Sequence, residues 1–473
     1  MVSRAFQRAL AFIFLIAWLS LGVQVEVLVG SRGLLPLGEF MRAVREGGGT
    51  FREFPTLFWL GTSDALLVDG VVLGVALALA ALVLRGRLVQ LAFALSTILY
   101  LSYAIAGQTF LSFQWDNLLL ECGAFAVFLR RDRRVVWAEW LFRLILFKLY
   151  FESGIAKWQS HLGDWRDGSA MTFYYETAPL PTWLASYAHA LPAAWHHFES
   201  WATLALELVV PFGIFAPRVV RLPVAAVLTA FQLVNAATAN YGFFCWLAVA
   251  LHLFLLDDAD VARAGRWLRG HLPILNRLAE PIAPAPMRSP RARRIDRAIA
   301  AVVLSVFCFA SLADGVEAFG GDRDALAFLE PVRALWQPLR LINTYHLFGH
   351  ITRERIEPQV QLSDGHTWTE YDLRRKAGDP ARAPSFVAAH QPRVDFQLWF
   401  YGLSYRHGMP RYVATLLDRL CRDPAAVEPL FARPLPAHPA GVRLVFYRYH
   451  FSTAKGAWWT REPVDMTETM RCP

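Results

Sequence analysis

The chain carries little charge for its length. Only 18% of its 473 residues are Asp, Glu, Lys or Arg, whereas soluble globular proteins average about 25%. Hydrophobic residues make up 55%, above the roughly 45–50% of soluble proteins. This composition excludes a disordered protein, a fibrous protein and a small disulfide scaffold, and it is not that of an ordinary soluble enzyme.

Cysteine is also scarce, with five residues in the chain and no C-x-x-C pair. The missing pair excludes a thioredoxin-like redox motif. Cys122, Cys245 and Cys308 fall in apolar stretches, where a thiol is usually a small buried hydrophobe. Cys421 and Cys472 lie near the C-terminus. They either form a disulfide or remain two free thiols, and the sequence leaves this open.

Common catalytic and nucleotide-binding motifs are missing as well. The chain contains no G-x-S-x-G, no P-loop, no H-E-x-x-H and no Rossmann glycine pattern. His196, His197 and Glu199 resemble a metal cluster, but adjacent histidines on a helix point about 100° apart, so we expect no metal site there. We interpret His346 and His350 as ordinary hydrogen-bonded side chains, which would share one face if their segment were helical.

The apolar residues are gathered into long runs. A helix needs roughly 20 mostly apolar residues to cross a hydrocarbon core of about 30 Å. The sequence therefore predicts an α-helical polytopic membrane bundle of about nine spans. These predicted spans are 8–29, 66–84, 88–107, 109–129, 138–157, 198–216, 219–238, 240–256 and 297–316.

The basic residues predict how these spans are oriented, because short cytoplasmic loops are enriched in Lys and Arg. With the N-terminus inside and nine alternating spans, the inside segments hold nineteen arginines and the outside connections five. The inside arginines are Arg4, Arg8, Arg85, Arg87, Arg130, Arg131, Arg133, Arg134, Arg218, Arg221 and the nine within 257–297. We therefore predict an N-in, C-out topology, and we interpret the net charge of +8 as an orientation signal that does not indicate a nucleic-acid partner.

The chain changes character after the last predicted span. We predict a transmembrane domain over 1–320, with a basic cytoplasmic linker at 257–297, and a C-terminal domain over 331–473 on the outside. The second domain has no long apolar run but contains short alternating stretches, which favour strands. These stretches are 359–362, 368–373, 394–401 and 442–450. The sequence thus predicts an extracytoplasmic mixed α/β domain in which the first two stretches form a hairpin.

Several ionisable residues fall inside predicted spans, where charge is costly and is usually paired or lines a cavity. They are Asp116, Glu121, Arg143, Lys148, Glu152, Lys157 and Glu207. In one interpretation, ion pairs such as Lys148 with Glu152 hold the bundle together and Lys157 snorkels to the interface. In the other, they line a polar cavity near the outer leaflet, where a desolvated Lys157 acts as a base.

The loop 158–171 after Lys157 is rich in Trp, Gly and Asp, and further aromatic residues follow it. Those are Tyr174, Tyr175, Trp183, Tyr187 and Trp195. They form either an aromatic belt at the membrane interface or part of a lid over a cavity for a lipid-like or quinone-like ligand. In the second case Asp164 and His161 would lie beside Lys157.

Four stretches resemble the lipase maturation factor family in content and order. They are Phe113–Glu121, Asn343–Phe348, Trp368–Glu370 and Ala389–Phe400, the last reading AHQPRVDFQLWF. The resemblance implies a multi-span membrane part with a tail in the lumen of the endoplasmic reticulum, or in the equivalent bacterial periplasm. It also implies a role in bringing lipases to their active fold.

This resemblance suggests client-binding or structural roles for one set of residues: Asn343, Tyr345, His390, Gln391, Arg393 and Asp395. The purely structural alternative is that Arg393 and Asp395 alternate on a strand, project to one face and pair with each other.

A second resemblance covers one helix and its loop. Tyr150–Lys157 with Asp164–Met171 is similar to the membrane core of vitamin K-dependent γ-carboxylases, and Lys157 then falls on the lysine regarded as their base. The alternative function is therefore a membrane enzyme that uses a quinone-like cofactor or a lipid substrate.

The leading prediction is a maturation factor of a bacterial inner membrane, embedded in lipid and acting without a cofactor on a secreted client such as a lipase. A transporter is a weaker interpretation, because no inverted repeat is visible.

Overall fold

The computed structural model describes residues 1–84, 86–131, 134–271, 290–320, 328 and 330–473. Arg85, Arg133 and the linker residues 272–289, which include part of the predicted cytoplasmic arginines, lie outside the described residues.

The first 320 residues are almost entirely helical. Their helices are α1 (Val2–Gly22), α2 (Val25–Val29), α3 (Leu37–Glu46), α4 (Asp64–Val83), α5 (Arg87–Ala106), α6 (Gln114–Ala126), α7 (Val136–Trp158), α8 (Ala170–Thr177), α9 (Trp183–His189), α10 (Ala193–Leu208), α11 (Arg218–Thr238), α12 (Phe244–Leu251), α13 (Asp258–His271) and α14 (Pro290–Gly320).

Six helical stretches in the described part of the chain are long and apolar enough to cross a membrane. They are Val2–Gly22, Asp64–Val83, Arg87–Ala106, Ala193–Phe215, Arg218–Thr238 and Arg294–Gly320. In α4, for example, a run of Val, Leu and Ala follows a helix start where the Ser63 hydroxyl accepts a hydrogen bond from the Leu66 N–H at 3.3 Å. These helices support a polytopic membrane protein.

The other three predicted spans are helical, but they are shorter or more charged than the six apolar helices. α6 has 13 residues and is about 20 Å long, short of a hydrocarbon core. α7 has 23 residues but carries five charged side chains, and Phe244–Leu255 is a shorter apolar helix. The count of nine spans therefore stays a prediction.

The helix ends fall into two groups at opposite ends of the bundle. At one end, the Met1 amino group contacts Asp258 at 2.5 Å, and Arg131 Nη1 donates to the Leu84 carbonyl at 2.7 Å. Arg221, at the start of α11, donates to the carbonyl of Leu255 near the same end. The segments that the basic residues assign to the inside therefore share this end, which we call the basic end. The C-terminal residues cover the opposite end.

The C-terminal residues form an antiparallel sheet with helices packed on it. The elements are α15 (Glu330–Arg333), β1 (Arg355–Ser363), β2 (Trp368–Tyr371), α16 (Arg393–Ser404), α17 (Arg411–Arg422), β3 (Gly441–Phe451), β4 (Trp459–Met466) and β5 (Met470–Arg471). The strand order is β2-β1-β3-β4, with β5 paired to β3. The predicted hairpin is confirmed as β1–β2, and the stretch 442–450 is confirmed as part of β3.

The predicted strand at 394–401 is wrong, because these residues form α16. Pro392 precedes the helix, and α16 packs along β1 so closely that a Cβ at Gly402 would collide with the Ile356 carbonyl oxygen. Short apolar runs with a helical or a strand period are hard to distinguish in sequence. The packing on β1 decides for the helix here.

Cys421 and Cys472, whose pairing the sequence leaves open, form a disulfide. The bond joins the last turn of α17 to the end of the chain. In the apolar stretches of the bundle, Cys122 and Cys245 are buried as expected, whereas the side chain of Cys308 is exposed on α14.

Candidate functional site

A buried ion pair joins the helix bundle to the C-terminal residues. Both guanidinium nitrogens Nη1 and Nη2 of Arg393 donate to the carboxylate of Asp116, each at 2.8 Å, and the two side chains are almost completely buried. Arg393 also donates to the Phe110 carbonyl at 2.6 Å, and the Tyr100 hydroxyl donates to Asp116 at 2.6 Å. The helix starts of α6 and α16 are therefore held together by a buried, two-armed charge pair.

The proposed pairing of Arg393 with Asp395 is wrong. Residues two apart on a helix point about 200° apart, so Asp395 faces away from Asp116. Its carboxylate accepts the backbone N–H groups of Arg375 and Lys376 at 2.9 and 3.0 Å. Burial raises the pKa of Asp395, and these N–H groups oppose that rise. Asp395 therefore orders the loop after β2 and does not neutralise Arg393.

The two residues before Pro392 bind the C-terminal end of α1. His390 Nδ1 lies 2.9 Å from the Ser20 hydroxyl, which also accepts the Gln391 N–H at 2.9 Å. Gln24 receives the Arg393 N–H and donates to the Gln391 carbonyl. Burial, together with the charges of Arg375 and Arg393, lowers the pKa of His390 to about 4. His390, Gln391 and Arg393 thus form a contact between α1 and the C-terminal residues, which we call the seam.

A non-helical segment around residue 345 caps the bundle between α6, α7 and α14. The Tyr345 hydroxyl donates to Glu121, and its backbone N–H donates to Glu152 at 2.8 Å. Asn343 Nδ2 reaches Glu121 at 3.4 Å, and the Asn343 carbonyl accepts a hydrogen bond from Lys148 at 2.8 Å. Both glutamates are therefore used to hold this segment.

The interpretation of Lys148 and Glu152 as an intrahelical pair is not supported by their hydrogen bonds. Lys148 donates to Ser311 on α14 at 3.0 Å and to the segment around residue 345, while Glu152 accepts from Tyr345. In the same segment, His346 and His350 do not share a helix face, because residues 341–350 are not helical. The His346 N–H donates to Gln114 Oε1 at 2.9 Å.

Lys157 is buried and does not snorkel. Its ammonium contacts both carboxylate oxygens of Glu207 at 2.7 and 3.0 Å, and it donates to the Leu347 carbonyl at 2.8 Å. The ring of Trp165 lies 5.2 Å from the same nitrogen. Beside the pair is a cavity of about 60 Å³, lined by Tyr150 and other side chains of the bundle. That volume holds a few water molecules.

Asp164 and His161 are not placed beside the Lys157 ammonium as partners. The Asp164 carboxylate accepts from the Ser160 hydroxyl at 2.6 Å and from the Ile351 N–H at 2.9 Å. The His161 ring lies edge-on to His350, with 4.7 Å between ring centroids. Since Asp116, Glu121, Lys157 and Asp164 each have a separate partner, they do not converge on one cavity.

The remaining polar candidates have local partners too. Arg143 Nε donates to the Phe254 carbonyl at 2.9 Å. His196 lies 3.3 Å from Glu199 through Nδ1 and 3.2 Å from the His189 carbonyl through Nε2. Within the described ranges, no three His, Cys, Asp or Glu side chains are grouped as metal ligands.

The aromatic residues after the loop 158–171 divide into two sets. Tyr174 and Tyr175 are buried inside the bundle. Trp183, Tyr187 and Trp195 are exposed by 43%, 62% and 46%, which suits side chains at a membrane interface. The belt interpretation therefore fits the second set alone.

A groove of about 480 Å³ with many aromatic side chains lies between the helix bundle and α16. We call it the aromatic groove and define it by Phe113, Trp115, Phe348, Phe396 and Phe400. The rings contact each other: centroids are 4.6 Å apart for Phe113 and Trp115, and 5.0 Å for Phe113 and Phe396. Its rim carries polar groups, among them His346, His350 and Gln397.

Three of the four resemblance stretches meet in this groove, which the sequence did not predict. Phe113 and Trp115 come from Phe113–Glu121, Phe348 from Asn343–Phe348, and Phe396 and Phe400 from Ala389–Phe400. A signal was present. Phe396, Phe400 and Leu403 are spaced i, i+4, i+7, which is one face of a helix, but the assignment of a strand concealed it.

Comparison with known proteins assigns the chain to a family. Residues 1–263 match the family model described as the lipase maturation factor transmembrane domain, and residues 341–469 match the lipase maturation factor C-terminal domain. The chain belongs to the lipase maturation factor family. Together with the apolar helices, the first match makes it a multi-pass membrane protein.

Lipase maturation factors from several vertebrates align with nearly the whole of this chain. Lipase maturation factor 1 of Bos taurus is 32% identical over 96% of this chain and 86% of its own length. Lipase maturation factor 1 of Homo sapiens is 29% identical over 97% of this chain and 85% of its own. Lipase maturation factor 2 of Homo sapiens is 29% identical over 97% and 81%. No solved structure matches.

These matches confirm the first resemblance. The segment 150–171, which resembles γ-carboxylases, lies inside the range matched by the lipase maturation factor transmembrane domain.

Proposed function

We propose that this chain helps a secreted client, such as a lipase, to fold or mature, and that it holds an apolar segment of the client in the aromatic groove. The observation that carries the proposal is the meeting of three family-like stretches in one groove. The names of the relatives, lipase maturation factors 1 and 2, support a lipase as the client.

The chemistry of the groove suits a partly folded polypeptide. Interface cores are rich in aromatic residues and poor in charge, and their rims are polar. Phe400 and Leu403 are 43% and 36% exposed at the mouth of the groove, where they offer an apolar surface to a partner. A client segment with Leu, Phe or Tyr side chains would fill the groove, while the exposed rim histidines His346 and His350 remain available to its backbone.

We further propose that the groove and the C-terminal residues face away from the cytoplasm, in the bacterial periplasm, with the N-terminus inside. Two observations support this orientation. The arginine-rich segments share the basic end of the bundle, and short cytoplasmic loops are enriched in arginine. The Cys421–Cys472 disulfide suits an oxidising compartment. An odd number of crossings is then required, so at least one of α6, α7 and α12 must cross with the six apolar helices.

A photo-crosslinking experiment in cells tests the groove. A photoreactive amino acid replaces Phe400 in one variant and Phe51, which is 61% exposed on the same predicted side, in a matched control. We expect a co-expressed secreted lipase to cross-link at position 400 at least several-fold more than at position 51. The companion variant Phe400→Asp should reduce the specific activity of the secreted lipase, and Phe51→Asp should not.

Two results would overturn the proposal. One is equal cross-linking at both positions. The other is an unchanged specific activity of the lipase with Phe400→Asp when the amount of the membrane protein is also unchanged. If the Phe400→Asp protein is present in a lower amount, Phe400→Leu serves as the control. This variant keeps the apolar surface and should restore both the amount of the membrane protein and the specific activity of the lipase.

The enzyme alternative receives no support from the geometry around Lys157. Pockets for drug-sized ligands measure roughly 300–1,000 Å³, whereas the cavity beside Lys157 has about 60 Å³. The ammonium is also engaged by Glu207 and by the Leu347 carbonyl. We therefore assign Lys157 a structural role and propose no second function for it.

A further inference from the structure

A second, larger groove lies on the other side of the seam at His390. It has a volume of about 870 Å³ and is lined by the outer end of α1 on one side and by C-terminal residues on the other. We call it the α1 groove. It shares no lining residue with the aromatic groove, and the proposed client site does not use it.

The wall formed by α1 is apolar and faces outward. Ile16, Leu19, Ser20 and Val23 line the groove, and their spacing i, i+3, i+4, i+7 places them on one helix face. Leu19 and Val23 are 52% and 74% exposed. Because α1 is one of the apolar helices long enough to span a membrane, this wall is continuous with the surface that lipid chains contact.

The opposite wall combines an apolar residue with two arginines. Phe386 is 51% exposed beside Arg374 and Arg375. Arg374 Nε donates to the Phe431 carbonyl at 2.8 Å, which leaves its other nitrogens available. Within the described part of the chain, the Arg375 guanidinium has no ion pair. The carboxylate of Asp395 also lines the groove, but it is buried and accepts backbone N–H groups.

The charge pattern selects one kind of occupant. An amphiphile with an apolar tail fits along Leu19, Val23 and Phe386, and an anionic group fits beside the arginines. Arg matches phosphate geometry well, through two parallel hydrogen bonds.

We propose that the α1 groove binds a membrane phospholipid with an anionic headgroup. Its phosphate is held by Arg374 and Arg375, and an acyl chain lies along the Ile16–Val23 face of α1. A lipid in this position contacts both α1 and the segment 386–395, so it stabilises the seam between the helix bundle and the C-terminal residues.

The test uses the full-length protein in lipid nanodiscs. A photoactivatable phosphatidylglycerol is compared with a photoactivatable phosphatidylcholine, and labelled peptides are mapped. We expect phosphatidylglycerol to label peptides within 16–27 and 386–395 at least about five-fold more than phosphatidylcholine does. Arg374→Gln/Arg375→Gln should lose this preference. The control Arg42→Gln, at an exposed arginine that does not line the groove, should keep it.

A second variant tests the tail site independently of the arginines. Leu19→Trp fills the apolar wall and should reduce labelling of 386–395 by phosphatidylglycerol, while Leu91→Trp on the exposed face of α5 should not. This arm keeps the proposal testable if the double arginine variant does not fold.

Three outcomes would overturn the proposal. The first is equal labelling by both lipids. The second is unchanged labelling in the arginine variant and in Leu19→Trp. The third is loss of labelling when inorganic phosphate is added to nanodiscs of fixed composition, which would indicate a site for free phosphate or another soluble anion.

Discussion

Arg393 and Asp116 lie 277 positions apart in the sequence and form a two-armed ion pair in which both side chains are almost completely buried. Asp116 is in the first turn of α6 and Arg393 is the first residue of α16. The pair therefore connects the helix bundle with the C-terminal residues. Asp116 directly follows Trp115, and Arg393 precedes Phe396 by three residues on α16; both aromatic residues line the aromatic groove.

The first prediction concerns this pair. Arg393→Gln leaves the Asp116 carboxylate buried without its partner, and removing one member of a buried pair typically costs about 3–5 kcal/mol. We expect a loss of that size in the free energy of unfolding, measured in detergent, and faster proteolysis between the bundle and α16.

An exposed pair between the same two parts provides the control. Arg32 donates to Asp423 at 2.7 Å, but the Arg32 side chain is 63% exposed. Exposed pairs contribute about 0–1 kcal/mol, so Arg32→Gln should change stability little. If both variants lost the same small amount of stability, the Arg393–Asp116 pair would not be the main connection.

The second prediction concerns a charge cluster inside the C-terminal sheet. The carboxylate of Glu357 contacts Arg355 at 2.5 Å and Lys376 at 2.6 Å, and all three side chains are fully buried. Arg355 also donates to the Pro179 carbonyl at 3.0 Å. Glu357→Gln removes the one carboxylate that contacts both buried cations, and we expect a loss of at least about 3 kcal/mol, measured by denaturant unfolding of the sheet.

The matched control for Glu357→Gln is Glu354→Gln on the same stretch of chain. Glu354 is 55% exposed and pairs with Arg448, so its loss should cost at most about 1 kcal/mol. Equal effects of the two substitutions would contradict the role given to burial.

The third prediction separates a structural from a catalytic Lys157. Lys157→Met leaves Glu207 buried without its cation and should destabilise the bundle by about 3–5 kcal/mol. The double variant Lys157→Met/Glu207→Gln removes both charges and should regain more than half of that loss. Thermal unfolding of the purified protein measures both. A Lys157→Met protein of normal stability that no longer matures its client would speak for chemistry at this position.

The fourth prediction is a pH dependence from His390. The pKa of His390 is about 4 in the folded chain, against an ordinary value near 6.5. The unfolded chain therefore binds a proton first as the pH falls. The contribution to stability is fully present above pH 6.5 and is lost between pH 6.5 and 4, by at most about 3 kcal/mol.

Unfolding of His390→Asn checks this assignment. Asn can still hydrogen-bond the Ser20 hydroxyl but does not titrate, so the decline in stability between pH 6.5 and 4 should become shallower. His407→Asn, at an exposed histidine, should leave the decline as in the wild type. An identical pH profile for His390→Asn and the wild type would show that other groups cause the decline.

Much of the architecture can be predicted from local sequence. The long apolar runs predict α1, α4, α5 and α11, because a helix that crosses lipid must be apolar along its whole length. The β1–β2 hairpin follows from strand alternation around an Asp-Gly turn, Asp364–Gly365. These features depend on residues that are close together in the chain, so they can be predicted from local sequence patterns.

The candidate site is less accessible to sequence. The ionisable residues at membrane depth could be identified, but not their partners. Asp116 pairs with Arg393, and Glu121 and Glu152 bind the segment around Tyr345. Each of these partners is about 190 or more positions away. Helical and strand periodicities relate residues only a few positions apart, so they cannot predict contacts over such sequence separations.

The low charge content and the long apolar runs predicted a multi-pass membrane protein, and the distribution of arginine predicted which ends of the helices lie together. The four resemblance stretches determined its family. Only the tertiary structure decided that Val394–Tyr401 is helical, that Cys421 pairs with Cys472, and that three distant stretches build one aromatic groove. The physical reason is that these features result from packing between segments far apart in the chain, and packing overrides local preference.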